Sequence, residues 1–252
     1  MLWHTSENKM IKSMILSIQF LTRLPINIPI DFNEENLKKA VFYFPFVGML
    51  VGGIGGLAHY LFSYLNDDLA AFMTVVSLIA VTGGLHLDGL SDTFDGFFSS
   101  RDKERTMEIM KDSRIGAFGV IALILDILLK YIIISNLEGN IPLILALSYG
   151  NSRLIAAYLM STKKVSRKGG IGDMFRRSNP KLYAFFGGLI FVVIVALINP
   201  MYLIPLLFNF IMAEIMTRVT YKKIDGFTGD VYGATIEMGE IVSLIVFLGG
   251  IK

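Results

Sequence analysis

The chain of 252 residues has no cysteine, so disulfides and thiol chemistry are excluded. It is also poor in charge. Only 17% of its residues are Asp, Glu, Lys or Arg, where a soluble domain carries roughly 25%. Net charge is +2, which gives bulk electrostatics no reason to favour a nucleic-acid partner. Histidine occurs three times, at His4, His59 and His86, too few for a histidine-rich metal centre. No GxxxxGK[ST] phosphate loop and no Ser-His-Asp grouping can be found. The start, MLWHTSENKMIKSM, has no small-residue cleavage site behind a short apolar region and reads as mature sequence.

What the chain has in excess is apolar residues: 54% are hydrophobic, and the mean hydropathy is +0.60. A bilayer-crossing helix needs roughly 20 apolar residues. Seven stretches qualify: Val41 to Leu65, Leu69 to Leu87, Gly116 to Ser135, Ile141 to Met160, Tyr183 to Ile198, Met201 to Thr217 and Ile236 to Ile251. Met10 to Leu24 is apolar but short, and is expected to lie at the membrane interface. The fold class is therefore an all-α, polytopic membrane bundle of about seven spanning helices plus an N-terminal interfacial helix. Residues 1–252 form one domain without a detectable repeat. Gly48, Gly52 and Gly56 recur every fourth residue, a small-residue face against which another helix can pack. Such a face serves either a contact within the chain or a homo-oligomer.

Basic residues are one-sided. Lys9, Lys12, Arg23, Lys38 and Lys39 precede the first span, Arg101 to Arg114 lie between the second and third, Lys163 to Lys181 between the fourth and fifth, and Arg218 to Lys223 after the sixth. The connections at Asn66–Asp68, Asn136–Asn140 and Asn199–Pro200 carry no basic residue. The positive-inside rule then places the long loops in the cytoplasm.

Against this apolar background, GGLHLDGLSDTFDGFFSSRD carries four aspartates from Gly83 to Asp102. Asp88, Asp92 and Asp95 fall at i, i+4 and i+7, one face of a helix. So many like charges at the edge of a low-dielectric region repel unless some are protonated or a cation sits among them. Hard oxygen ligands point to Mg²⁺ or Mn²⁺. Gly89 and Gly96 each follow an aspartate and leave room for a phosphate or a close backbone. The plainer reading is a solvated helix end. EIMKDSRIGAFG follows, offering Lys111, Asp112, Arg114 and a small-residue helix start that suits a phosphate. Its plainer reading is a juxtamembrane anchor. In DGFTGDVYGATIEMGE, Asp225, Asp230, Glu237 and Glu240 sit at the mouth of the last span, where carboxylates are costly unless they bind something or line a wet cavity. KKVSRKGGIGDMFRRS is a basic, glycine-rich loop that suits either an anionic substrate or anionic membrane lipid. Of the charges within spans, Asp126 and Lys130 are spaced to pair, and Arg153 is expected to face Glu214. Carboxylates beside basic groups and glycines suit phosphoryl transfer.

LTRLP, FPFVGMLVG, LHLDGLSDTFDG, EIMKDSRIGAFG and DGFTGDVYGATIE together resemble the cobalamin-5′-phosphate synthase (adenosylcobinamide-GDP ribazoletransferase) family, over nearly the whole chain. Ser91 and Phe94 stand where that family often has alanine. The resemblance implies a magnesium-dependent enzyme of a prokaryotic cytoplasmic membrane. It would transfer adenosylcobinamide phosphate from adenosylcobinamide-GDP to α-ribazole or its 5′-phosphate, releasing GMP. On that footing Asp88, Asp92, Asp95 and Asp112 bind Mg²⁺, and Arg114 and Lys111 contact the pyrophosphate. Gly89 and Gly96 make room for substrate, and Asp92, Asp230 and Glu237 are the candidates for the catalytic carboxylates. Two rivals remain. One is a lipid-type CDP-alcohol phosphotransferase, although the spacing DGxxAR…GxxxDxxxD is not reproduced. The other is a cation or proton transporter using Asp126, Lys130 and Glu214.

Overall fold

A computed structural model describes residues 7–250. The expected mature start at residues 1–6 and the end of the seventh span at Ile251 lie outside the described residues. Twelve α-helices and no strand occur among the described residues: α1 Glu7–Leu21, α2 Glu34–Ala40, α3 Phe44–Ser63, α4 Asp67–Thr82, α5 Leu85–Phe98, α6 Lys103–Ile109, α7 Ala117–Ser135, α8 Ile141–Thr162, α9 Ile171–Arg177, α10 Lys181–Ile198, α11 Ile204–Ile224 and α12 Gly229–Leu248. Six are long and apolar enough to cross a membrane, or seven if the bent pair α4 and α5 is one span. The fold is the all-α membrane bundle expected, and α1, too short to cross, packs on α2 and α3.

Three boundaries differ from expectation, each for a local reason. The second span ends at Thr82 because Gly83 and Gly84 both adopt left-handed backbone, at φ 63° and 68°. Only glycine takes that conformation without steric cost. The chain turns by 89° there, and α5 runs across the bundle instead of through it. The sixth span continues beyond Thr217 to Ile224, where Asp225 at φ 59° stops it. The seventh starts at Gly229, well before Ile236, because the Thr228 hydroxyl accepts from the Val231 N–H at 3.4 Å and caps the helix. Asn66 and Asn140 cap α4 and α8 in the same way.

Helix α8 is the central post, with 83% of its apolar window buried, whereas α7 and α10 are only 33% and 22% buried. Their outer faces carry exposed Ile124, Leu128, Phe185 and Leu197, the surface a helix shows to lipid. The glycine face of α3 meets α8 in the same chain. Side chains at Gly48, Gly52 and Gly56 would run into the Tyr149 and Leu145 carbonyls and Pro142. That close approach lets two backbones pack by dispersion where no water drives them together.

Candidate active site

Helix α5 crosses α12 at their first turns. A Cβ on Gly89 would stand 2.7 Å from the Asp230 carbonyl oxygen, so Gly89 is where the two backbones touch. The crossing brings Asp88 of α5 and Asp230 of α12 to one pocket, with Asp92 one turn further along α5. Asp88 and Asp92 line a cleft of about 530 Å³ together with Ser91, Lys111, Asp112 and Ser113. Asp88 also borders a pocket of about 170 Å³ shared with His86, Gly89 and Asp230. Asp230 in turn borders a third space of about 330 Å³, lined by Arg167 and the Gly169–Asp173 stretch. All three lie at the end of the bundle that carries the basic loops. The third is held in place by a short bridge, in which Ser166 N–H donates to the Phe227 carbonyl at 2.9 Å and Phe227 N–H to Lys164 at 2.8 Å. That tie puts the basic glycine-rich loop beside the start of α12.

The other expected ligands have different partners. Asp95 is buried, and its two oxygens accept from the Gly116 N–H at 2.7 Å and the Gly119 N–H at 2.9 Å. It therefore caps α7, where the orphan N–H groups and the helix dipole favour a carboxylate. Asp112 is bound by its neighbour: Arg114 donates from its backbone N–H, from Nε at 3.1 Å and from Nη2 at 2.7 Å. These bonds hold the Asp112 carboxyl down to about 2. Among the described residues no three His, Asp or Glu side chains are arranged to hold a metal ion. Gly96 is filled from the side by Met110, with the Thr106 carbonyl 3.3 Å from where a Cβ would stand, so its space belongs to the packing of α5 on α6.

Glu237 lies in the interior, away from the clefts of Asp88 and Asp92. Lys130 binds it, and also binds Asp126 at 3.0 Å and Glu240 at 2.7 Å. Arg153, wholly buried, takes the other oxygen of Glu240 and donates to Ser152 at 2.9 Å. Its Nη2 lies 3.3 Å from His86 Nδ1. The expected pairing of Asp126 with Lys130 is present. That of Arg153 with Glu214 is not, because Glu214 instead accepts from Lys163 at 2.6 Å and Tyr158 at 2.9 Å. His86 and Tyr232 line the pocket beside Asp88, and Arg167 the space beside Asp230. The Lys163–Ser178 loop carried a signal for Arg167, but nothing local marked the other two.

Carboxylates of α5 in a cleft lined by Lys111, next to a pocket that Asp88 shares with Asp230 of α12, are suited to binding and transferring a phosphorylated group. Over residues 13–248 the chain matches the family described as Cobalamin-5-phosphate synthase. The chain belongs to that family. It is 38% identical over 241 residues to the adenosylcobinamide-GDP ribazoletransferase of Clostridium novyi, covering 94% of this chain and 96% of that one. Identity to the enzyme of the same name from Treponema denticola is 37% over 251 residues, covering 92% and 96% of the two chains. To that of Clostridium botulinum strain Kyoto it is 40% over 249 residues, covering 94% and 98%. No solved structure matches the chain. The family match takes in the α5 stripe, the KDSRIG turn and α12, which are the segments that form the three clefts.

Proposed function

We infer that this protein is an adenosylcobinamide-GDP ribazoletransferase whose two substrates meet at Asp88. The observation that carries this reading is the position of Asp88 on the shared border of two spaces. The larger cleft, with Lys111 and the two serines, suits the pyrophosphate of adenosylcobinamide-GDP. The smaller suits the nucleoside acceptor. In the transfer a ribazole hydroxyl attacks the cobinamide-linked phosphorus, a new O–P bond forms, and the bridging P–O bond breaks with its electron pair leaving on GMP. Asp230, at the rim of the smaller pocket, is placed to take the hydroxyl proton. Lys111 offsets charge on the phosphate oxygens, and Arg114 holds Asp112 at the mouth.

A hard divalent cation fits the donors present. Mg²⁺ typically takes only one or two carboxylates, the rest of its shell being water and substrate phosphate. Asp88 and Asp92 offer that number in one cleft. Bound there, Mg²⁺ would neutralise charge developing on the pyrophosphate. Asp95 and Asp112 would support it from outside, by fixing α7 and the KDSR turn. The basic loops favour an orientation with the three clefts in the cytoplasm of a prokaryotic cell, at its cytoplasmic membrane, and their lysines and arginines suit contact with anionic lipid. The test is GMP release by the purified protein in lipid, supplied with adenosylcobinamide-GDP and α-ribazole with Mg²⁺ or with a chelator. Release that needs both the acceptor and the ion supports the reading. CMP release from CDP-diacylglycerol instead would favour the lipid phosphotransferase.

A further inference from the structure

The smaller pocket has a distinctive lining. Phe20, Leu21, Met160, Ile171 and Ile236, from α1, α8, α9 and α12, give it an apolar side, and Asp88 and Asp230 line it as well. Two uncharged polar groups join this lining. Tyr232 is 1% exposed, and its hydroxyl has no hydrogen-bond partner in the structure. His86 is 4% exposed, and its bond to Arg153 is made through Nδ1. A guanidinium has only N–H donors. Nδ1 must therefore accept, and the neutral ring keeps its proton on Nε2. Arg153 cannot turn away, since Glu240 and Ser152 fix it in the core. The imidazole is thus locked in one tautomer, with a donor left over for whatever enters the pocket. The Tyr232 hydroxyl is a buried polar atom without a partner, which is costly and rare, and a bound ligand accounts for it.

Resting on the transferase reading, we propose that this pocket holds the base of the acceptor nucleoside, with His86 donating its Nε2–H to the free ring nitrogen of that base. Ribazole carries a benzimidazole, a flat fused ring joined to the sugar through one nitrogen. Its other nitrogen bears an in-plane lone pair and no hydrogen. Such a base offers one acceptor and otherwise only apolar surface, which matches the fixed imidazole donor beside the apolar side chains of the pocket. With the base seated against His86, the ribose reaches Asp230 and Asp88, and Asp88 also borders the pyrophosphate cleft.

The test compares α-ribazole with an analogue in which the free ring nitrogen is replaced by C–H. With the full chain in lipid nanodiscs, wild type should lose about 5- to 10-fold in kcat/KM on that replacement, the worth of one hydrogen bond. His86→Phe should process both compounds alike, with the KM for adenosylcobinamide-GDP unchanged. Discrimination by His86→Phe equal to that of wild type overturns the proposal, as does an equal rise in both substrates' KM. Should the variant not fold, direct fluorescence titration of wild type with each compound decides. Tighter binding of α-ribazole supports the proposal, and equal affinities overturn it. Failure of the transferase reading would look different, since wild type would then release no GMP with either acceptor.

Discussion

Two aspartates on one helix face, Asp92 and Asp95, meet different surroundings, a cleft and the start of α7, and substitution should separate them. Asp95→Ala removes two hydrogen bonds to the start of α7. Loss of a helix cap typically costs about 0.5–2 kcal/mol. The melting temperature in detergent should fall measurably, and activity should fall with it. Asp92→Asn removes a charge that faces a cleft and keeps the shape. It should leave the melting temperature unchanged and lower kcat by on the order of 10²- to 10³-fold, the cost of losing one charge-stabilising group. Equal effects of the two substitutions would contradict this division. The Asp112–Arg114 contact has a defined pH dependence. Because the folded-state carboxyl is depressed from 3.8 to about 2, the contact is fully present above 3.8 and is lost only as pH falls towards about 2. Carbon NMR of labelled aspartate should show Asp112 ionised throughout the weakly acidic range. At this scale the stripe of aspartates is legible from spacing alone. The direction in which Asp95 points is not, because its partners lie more than twenty residues along the chain, at Gly116 and Gly119.

Between helices, the glycines show what the sequence makes plain and what it conceals. The fourfold spacing in α3 announces a close contact, and the structure supplies α8 as the partner. Gly52→Leu would drive a side chain into the Leu145 carbonyl, which no rotamer relieves, and should abolish accumulation of folded protein in the membrane. Gly84→Ala meets no neighbouring atom and pays only for left-handed backbone, about 1–2 kcal/mol. It should lower thermal stability by that modest amount while protein still accumulates, as thermal melts in detergent would show. The Gly83–Gly84 pair sits inside an apolar run, so hydropathy continues where the helix axis breaks. The start of α12 is hidden for the opposite reason. Its glycines, Asp230 and Thr235 read as a loop, and only the Thr228 cap and the packing on α5 make it a helix.

Across the whole bundle, two groups of carboxylates stand apart from each other. Asp88, Asp92 and Asp230 border spaces that a substrate can enter, whereas Asp126, Glu237 and Glu240 gather around Lys130 and Arg153 in the interior. The interior group ties α7, α8 and α12 together and, through His86, α5. Removing one partner of a buried ion network leaves an uncompensated charge, at a cost of about 3–5 kcal/mol. Lys130→Met should therefore be poorly folded, as size-exclusion profiles would reveal. The sequence shows the membrane character and the sidedness of the basic loops. It does not show which carboxylates are buried with cations, since that depends on how helices far apart in the chain are arranged. Two clefts joined at Asp88, one of them also lined by Asp92, imply a transfer reaction centred on these two aspartates. The measurement that tests it most directly is GMP release from adenosylcobinamide-GDP, with α-ribazole present and absent, by wild type and Asp92→Asn in the same lipid. The account predicts acceptor-dependent release by wild type and almost none by an equally folded Asp92→Asn. Full release by Asp92→Asn, or none by wild type, would contradict it.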